Sequence, residues 1–274
     1  MFPRTEIGGL SVSRMIIGTN NIMGGSHRTV ARDVHIKGVF GESAEVVADV
    51  VGAYLEHGVD TSIGGISQQF IRDGIKIAEE RAGKKVTKID LVVFDTKDTP
   101  EARRNALDVI KRSKQNGADI CLPLHMTVEK LVNKQERKIE RISDYLYMIR
   151  EQGMVPGLSA HMPEIITYTD ENGYDAETYI QIYNAAGFLM QIEIELVQEI
   201  IWKAKKPVLT IKPMAAGHLN PFVGMNFSWN TIRPQDMVAV GCMTLEEAHE
   251  TVEYSLAAIE RRFPDKVPSR GHGY

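Results

Sequence analysis

Apolar residues in this chain follow two alternating rhythms: short unbroken runs, and longer stretches with an apolar residue at every third or fourth position. The first rhythm predicts buried strands and the second amphipathic helices. MIIG at 15–18 predicts a first strand, and SAEVVADVVGAYLEHG, Ser43 to Gly58, predicts a helix ended by its glycine. A short strand follows at Val59 to Ser62, then a helix near Ser67 to Arg81, the strand IDLVVFD at 89–95, and a helix from Pro100 to Gln115 with proline in its first turn. The fourth unit pairs ADICLPLH, 118–125, with a long charged helix between about Val128 and Glu151. The fifth pairs MVPGLSAH, 154–161, with a helix opening at Pro163 and closed by Asn172-Gly173. TYIQIY, 178–183, predicts the sixth strand, and FLMQIEIELVQEIIWKA after it carries helical spacing. PVLTIKPM, 207–214, and MVAVG, 237–241, predict the last two strands, and TLEEAHETVEYSLAAIERR a closing helix.

Strands separated by helices pair in parallel, because a parallel partner needs a crossover. Eight such units without a long linker predict an α/β fold, a (β/α)8 TIM barrel, as one domain over residues 1–274. Residues 19–42 form a long loop after the first strand, and residues 215–236 an irregular stretch after the seventh. Both leave the end of the barrel where binding loops gather.

Composition narrows the function classes. The chain is 43% hydrophobic and 25% charged with a net charge of −4, so no overall attraction draws it to nucleic acid or to anionic lipid. No segment approaches the roughly 20 apolar residues that cross a bilayer, and MFPRTEIGGLSVSR lacks a signal's apolar stretch, which together predict a cytoplasmic protein. With only two cysteines, Cys121 and Cys242, a zinc or iron–sulfur site built from four thiolates is excluded, and the pair reads as reduced core thiols.

Taken in order, the strand ends resemble those of the aldo-keto reductases from Thr5 to about Ala258. GGLSVSRMIIGTNNIMGG is similar to that family's N-terminal hairpin, here residues 1–13, and first strand. EHGVDTSIGG, VVFDTK, ADICLPLH, GLSAHMPE, YIQIYN, KPMAAGHL and VGCMTLEEAHETVE resemble its motifs at strands two to eight. The resemblance implies a barrel of aldo-keto reductase type, with Asp60, Lys97 and His125 as three members of a catalytic tetrad. It implies Ser159 and Gln181 at the carboxamide of a nicotinamide cofactor, NAD(P)H. The tetrad's tyrosine position is Gly65, and the asparagine usual after the serine is Ala160. The residues that grip an adenosine 2′-phosphate have no counterpart in GCMTLEE.

Residues at C-terminal strand ends converge on a barrel's mouth, which is where Asp60, Lys97 and His125 are expected, with proton transfer falling to His125 or Lys97. His161 ends strand five and is expected to share the mouth as a substrate ligand with Asn20 and Asn21. The first long loop also holds His27, Asp33 and His35, a candidate lid or a solvated loop. Ala216 and Gly217 in the AAG turn, and the backbone from Gly241 to Thr244, precede helix starts, where free amides favour a phosphate. Lys212 on strand seven is a candidate for that ligand's charge or, as a neutral amine, for carbonyl chemistry. No tight ligand spacing marks a metal site, but one built from His125 and His161 with Asp60 or Asp95 stays open. The leading expectation is a nicotinamide-dependent oxidoreductase acting on a small carbonyl or polyol. Two alternatives stay open: a lyase, isomerase or epimerase acting on a sugar or sugar phosphate, and a non-catalytic binding module. The sequence does not decide the oligomeric state.

Overall fold

The computed structural model describes residues 1–265; the remainder of the expected 1–274 domain lies outside the described residues. Barrel strands one to eight are Met15–Gly18, Thr61–Ile63, Thr87–Val92, Ile120–Pro123, the pair Val155–Pro156 with Leu158–Ser159, Tyr179–Ile182, Val208–Ile211 and Met237–Val240. All pair in parallel with their neighbours, and strand eight returns to strand one through Val238↔Met15 to Val240↔Ile17. The fifth strand divides at Gly157. Its first half pairs with strand four and its second with strand six, so the division turns the chain around the ring and closes the barrel. A Cβ at Gly157 would lie 2.8 Å from the carbonyl oxygen of Thr178 and 3.0 Å from Leu122 Cγ, so only glycine admits this approach.

Alternate strand residues fill the interior. Ile16, Ile63, Ile89, Ile120, Leu122, Ile180, Leu209 and Ala239 pack there with Ile7 and Val12 from an N-terminal hairpin, Arg4–Ile7 with Leu10–Ser13. The hairpin therefore plugs the N-terminal end of the barrel. Cys121 and Cys242 are free and buried. No helix of the described residues is long and apolar enough to cross a membrane.

The helices Ala44–Glu56, Gln69–Ala82, Pro100–Gln115, Glu164–Asn172 and Leu245–Glu260 lie where the periodicity predicts. Three stretches differ. The expected helix 128–151 is a single turn at His125–Val128, a 3-10 turn, a small hairpin (Val132–Asn133 with Lys138–Ile139) and a helix only over Ile142–Glu151. Arg137 and Arg141 take left-handed backbone (φ 51° and 54°), and the Asn133 side chain accepts from the Glu136 amide, a local turn bond that outcompetes helix propagation. The stretches 19–42 and 215–236 are not irregular throughout; they carry helices Val30–Phe40 and Pro221–Thr231. Thr29 and Asn220 cap them by accepting from Arg32 and Phe222 amides, signals of the kind that open helices elsewhere in this chain. The stretch after strand six becomes helical only at Ile194–Lys203.

Candidate active site

The mouth at the C-terminal strand ends holds a cavity of about 720 Å³. Its wall includes Asn20, Asn21, His27, His125, Ser159, His161, Lys212, Ala216, Gly217 and Gly241. Most of the residues expected from sequence thus come together here.

His125 begins the single helical turn after strand four, and His161 stands two residues beyond strand five. Their rings stack, with centroids 3.8 Å apart and planes inclined by 20°. Glu129 sets this arrangement from beneath: its Oε1 accepts the amides of His161 (2.7 Å) and Met162 (3.2 Å), so the chain leaves strand five in a fixed direction. Partial burial, then the neighbouring His125, Lys212 and His27, lower the pKa of His161 to about 4. His125 is also lowered, by burial and then by Lys212, with Glu129 opposing. Near neutral pH both rings are therefore neutral and serve as bases or hydrogen-bond partners rather than as cations.

Lys212 directly follows strand seven and is half-buried. Its backbone is left-handed (φ 62°), as are Ala215, Ala216 and Gly217 after it, a costly conformation for residues with a Cβ. Burial draws its pKa down to about 8. The amine thus exchanges a proton close to neutral pH, which an exposed lysine does not.

Other expected residues lie elsewhere. Asp60 precedes strand two, at the N-terminal end of the barrel, where it accepts from Arg4 Nη1 of the hairpin at 2.7 Å. The placement of Asp60 in the mouth is therefore corrected: the strand spans only Thr61–Ile63, so its aspartate sits at the opposite end from its glycines. Lys97 is corrected too. It lies on an exposed loop past strand three, its amide donating to Asp95, and it does not line the cavity. Gln181 is fully buried beside the mouth but off the cavity wall; its Nε2 donates to the carbonyls of His161 (3.4 Å) and Ile182 (3.2 Å), and its Oε1 has no partner among the described residues.

Gly65 leaves no room for a side chain. Its φ is 74°, and a Cβ there would lie 2.7 Å from Ile71 Cδ1 and 2.9 Å from Thr19 Oγ1. One of the amides expected to receive a phosphate after strand eight, that of Met243, is engaged. Glu247 Oε2 accepts from the Met243 amide at 2.8 Å, and Thr244 Oγ1 from the Glu247 amide at 3.2 Å, a reciprocal cap that satisfies the helix start from within.

Sequence reasoning missed Arg28, Arg32, Glu247 and Glu250, all on the cavity wall. Thr29 followed by a helical pattern was the signal for the first two; nothing local marked the glutamates. Among the described residues no cluster of three or more His, Cys, Asp or Glu is arranged to hold a metal ion. Ser159 and the turn at Ala216 and Gly217 line the wall between strands five and eight, and they are the residues that would hold a nicotinamide dinucleotide there.

No family model matches the chain, and no curated protein matches it by sequence. Solved structures do. A putative aldo-keto reductase from Pseudomonas aeruginosa superposes with a TM-score of 0.64 at 14% identity, covering 93% of this chain and 95% of that one. The fold is that of the aldo-keto reductases. An aldo/keto reductase from Brucella melitensis (TM-score 0.56, 13% identity, 95% and 99% covered) and an aldose reductase from Giardia lamblia (0.53, 11%, 92% and 88%) are similar over the same extent. At these identities the likeness concerns the aldo-keto reductase fold; chemistry must be argued from the mouth itself.

Proposed function

We propose that this chain is an oxidoreductase of aldo-keto reductase type that interconverts a small carbonyl compound and its alcohol, with Lys212 as the acid–base group. The reading is carried by one observation: Lys212, His125 and His161 converge on a single cavity at the mouth of this fold. Ser159 and the turn to Gly217 would hold a nicotinamide dinucleotide, which would supply or accept the hydride when bound. The Lys212 ammonium donates its proton to the developing alkoxide, or the amine takes it from the alcohol, and a pKa of about 8 suits both directions. Neutral His125 and His161 hydrogen-bond the reacting oxygen and keep it within reach. Lys212 thus takes the proton-transfer role expected from sequence of His125 or Lys97.

The test is calorimetric titration of the whole chain with NADH and NADPH, followed by turnover assays on Lys212→Met. Calorimetry is preferable to tryptophan quenching because neither Trp202 nor Trp229 lines the cavity. Saturable binding with loss of turnover in the variant is expected. No heat with either dinucleotide at millimolar concentration sinks the reading.

The missing phenol and the half-buried amine favour a second, non-redox reading. The neutral Lys212 amine adds to a carbonyl carbon, the carbonyl oxygen leaves as water, and the resulting imine holds the substrate for cleavage or isomerisation. Borohydride added with glyoxylate or pyruvate would then leave a stable mass gain on the peptide containing Lys212. An unmodified peptide removes this alternative.

A further inference from the structure

The segment between strand one and helix Ala44–Glu56 does more than connect them. Its helix, Val30–Phe40, is anchored by the buried side chains of Ile36 and Phe40, which leaves the residues before it leaning over the mouth. His27 takes a left-handed backbone (φ 56°), and its Nε2 lies 3.2 Å from Asn20 Nδ2. That turn projects His27 and Arg28 together onto the cavity wall, and Arg32 follows one helical turn later.

The partners of these two arginines are weak ones. Arg28 Nη2 approaches His218 Nδ1 at 3.5 Å, and Arg32 Nη2 approaches Met243 Sδ at 3.6 Å; among the described residues neither forms an ion pair. The acid closest in sequence, Asp33, is turned away, accepting from the Ser26 amide (2.8 Å) and hydroxyl (2.5 Å). Lys212, whose carbonyl accepts from the Ala215 amide at 2.9 Å, likewise has no carboxylate acting on it among the described residues. Gly217 lies close beneath: a Cβ there would be 3.6 Å from Arg28 Nη1. Two forked donors and a third cation on the wall of one cavity, beside an open glycine turn, form a surface complementary to a phosphoryl group.

We propose that His27–Arg32 is an oxyanion clasp, in which Arg28 and Arg32 close over the Ala215–Gly217 turn and grip a phosphoryl or diphosphate group of the ligand. The clasp goes beyond the oxidoreductase reading and does not depend on it. The oxyanion belongs either to a phosphorylated substrate or to the dinucleotide's diphosphate, and one experiment distinguishes them.

Calorimetry on the whole chain would use inorganic phosphate, inorganic pyrophosphate and NADH as separate probes, comparing wild type, the double variant Arg28→Ala with Arg32→Ala, and the double variant Arg28→Lys with Arg32→Lys. Both arginines are exposed, so thermal unfolding should not change. At least a tenfold weakening for pyrophosphate in the alanine pair, largely restored in the lysine pair, is expected. Weakening for NADH as well assigns the clasp to the dinucleotide; weakening for phosphate with NADH unaffected assigns it to the substrate. Equal pyrophosphate affinity in wild type and the alanine pair, or no binding of phosphate and pyrophosphate to wild type at millimolar concentration, overturns the clasp. Wild type that binds pyrophosphate but not NADH leaves the clasp standing and removes the oxidoreductase reading instead.

Discussion

The two ends of this barrel treat charge in opposite ways. At the N-terminal end charges are matched: Arg233 and Asp236 form a two-point pair (2.7 and 2.9 Å) with side chains 8% and 0% exposed, and Asp236 also accepts the Val208 amide. Arg14 donates to the backbone of both, Asp60 is held by Arg4, and Glu177 accepts from Arg150 and Lys206. At the mouth, Lys212, Arg28 and Arg32 stand beside three imidazoles with no carboxylate paired to them among the described residues. A matched charge has its partner built in and serves geometry, whereas an unmatched one in a cavity has its solvation completed by a ligand. The same residue types thus close on built-in partners at one end and stand open on a cavity at the other.

The largest effect should come from breaking a matched pair. Asp236→Ala strands the buried Arg233 guanidinium and leaves the Val208 amide without its acceptor, so a loss of about 3–5 kcal/mol is expected in urea unfolding. A cost under about 1 kcal/mol would show that the pair is not buried as described. Lys212→Met should act the other way, lowering turnover at least about 100-fold, on the order of 2.7 kcal/mol in the barrier, without loss of stability. Its stability has a defined pH signature. The amine's folded pKa of about 8 lies below its ordinary 10.5, so the folded state holds fewer protons between those values and wild-type stability gains as pH rises through that window. The difference between wild type and Lys212→Met should accordingly narrow from pH 8 to 10.5; a constant difference would refute the placement of the amine.

His161 gives a pH effect of the same sign in the acid range. With a folded pKa of about 4 against 6.5, its neutral form favours the native state above 6.5, and that contribution is lost as pH falls toward 4. His161→Gln should flatten the acid limb of thermal stability over that interval. The smallest effect is reserved for Asp60→Asn, whose partly exposed pair with Arg4 is worth no more than about 1 kcal/mol. Turnover should stay within about twofold of wild type. A loss of two orders of magnitude would return Asp60 to the catalytic machinery and reverse the contrast between the two ends.

Much of the fold was legible because parallel strands buried on both faces write continuous apolar runs, as in MIIG and MVAVG, and because caps such as Thr99-Pro100 and Asn172-Gly173 punctuate the helices. The stretch from Val128 to Glu151 misled for a physical reason. Charged side chains suit a solvated hairpin as well as a helix, and the left-handed turns at Arg137 and Arg141 carry no glycine to announce them. Within the mouth, His125, His161, Ser159 and Lys212 could be named because each closes a clear strand. Asp60 could not be oriented, since a three-residue strand leaves the aspartate at one end and the glycines at the other with no sequence mark to say which faces the ligand. Arg28 and Arg32 were hidden because an arginine on a polar helix ordinarily faces water.

Gly65 also constrains the redesign of the chain. A tyrosine there would meet a left-handed backbone and displace both Ile71 and Thr19, so exchanging this one residue does not place a phenol in the mouth without moving its neighbours. An engineer seeking a hydroxyl above Lys212 would do better to graft it from another wall of the cavity than to replace the glycine.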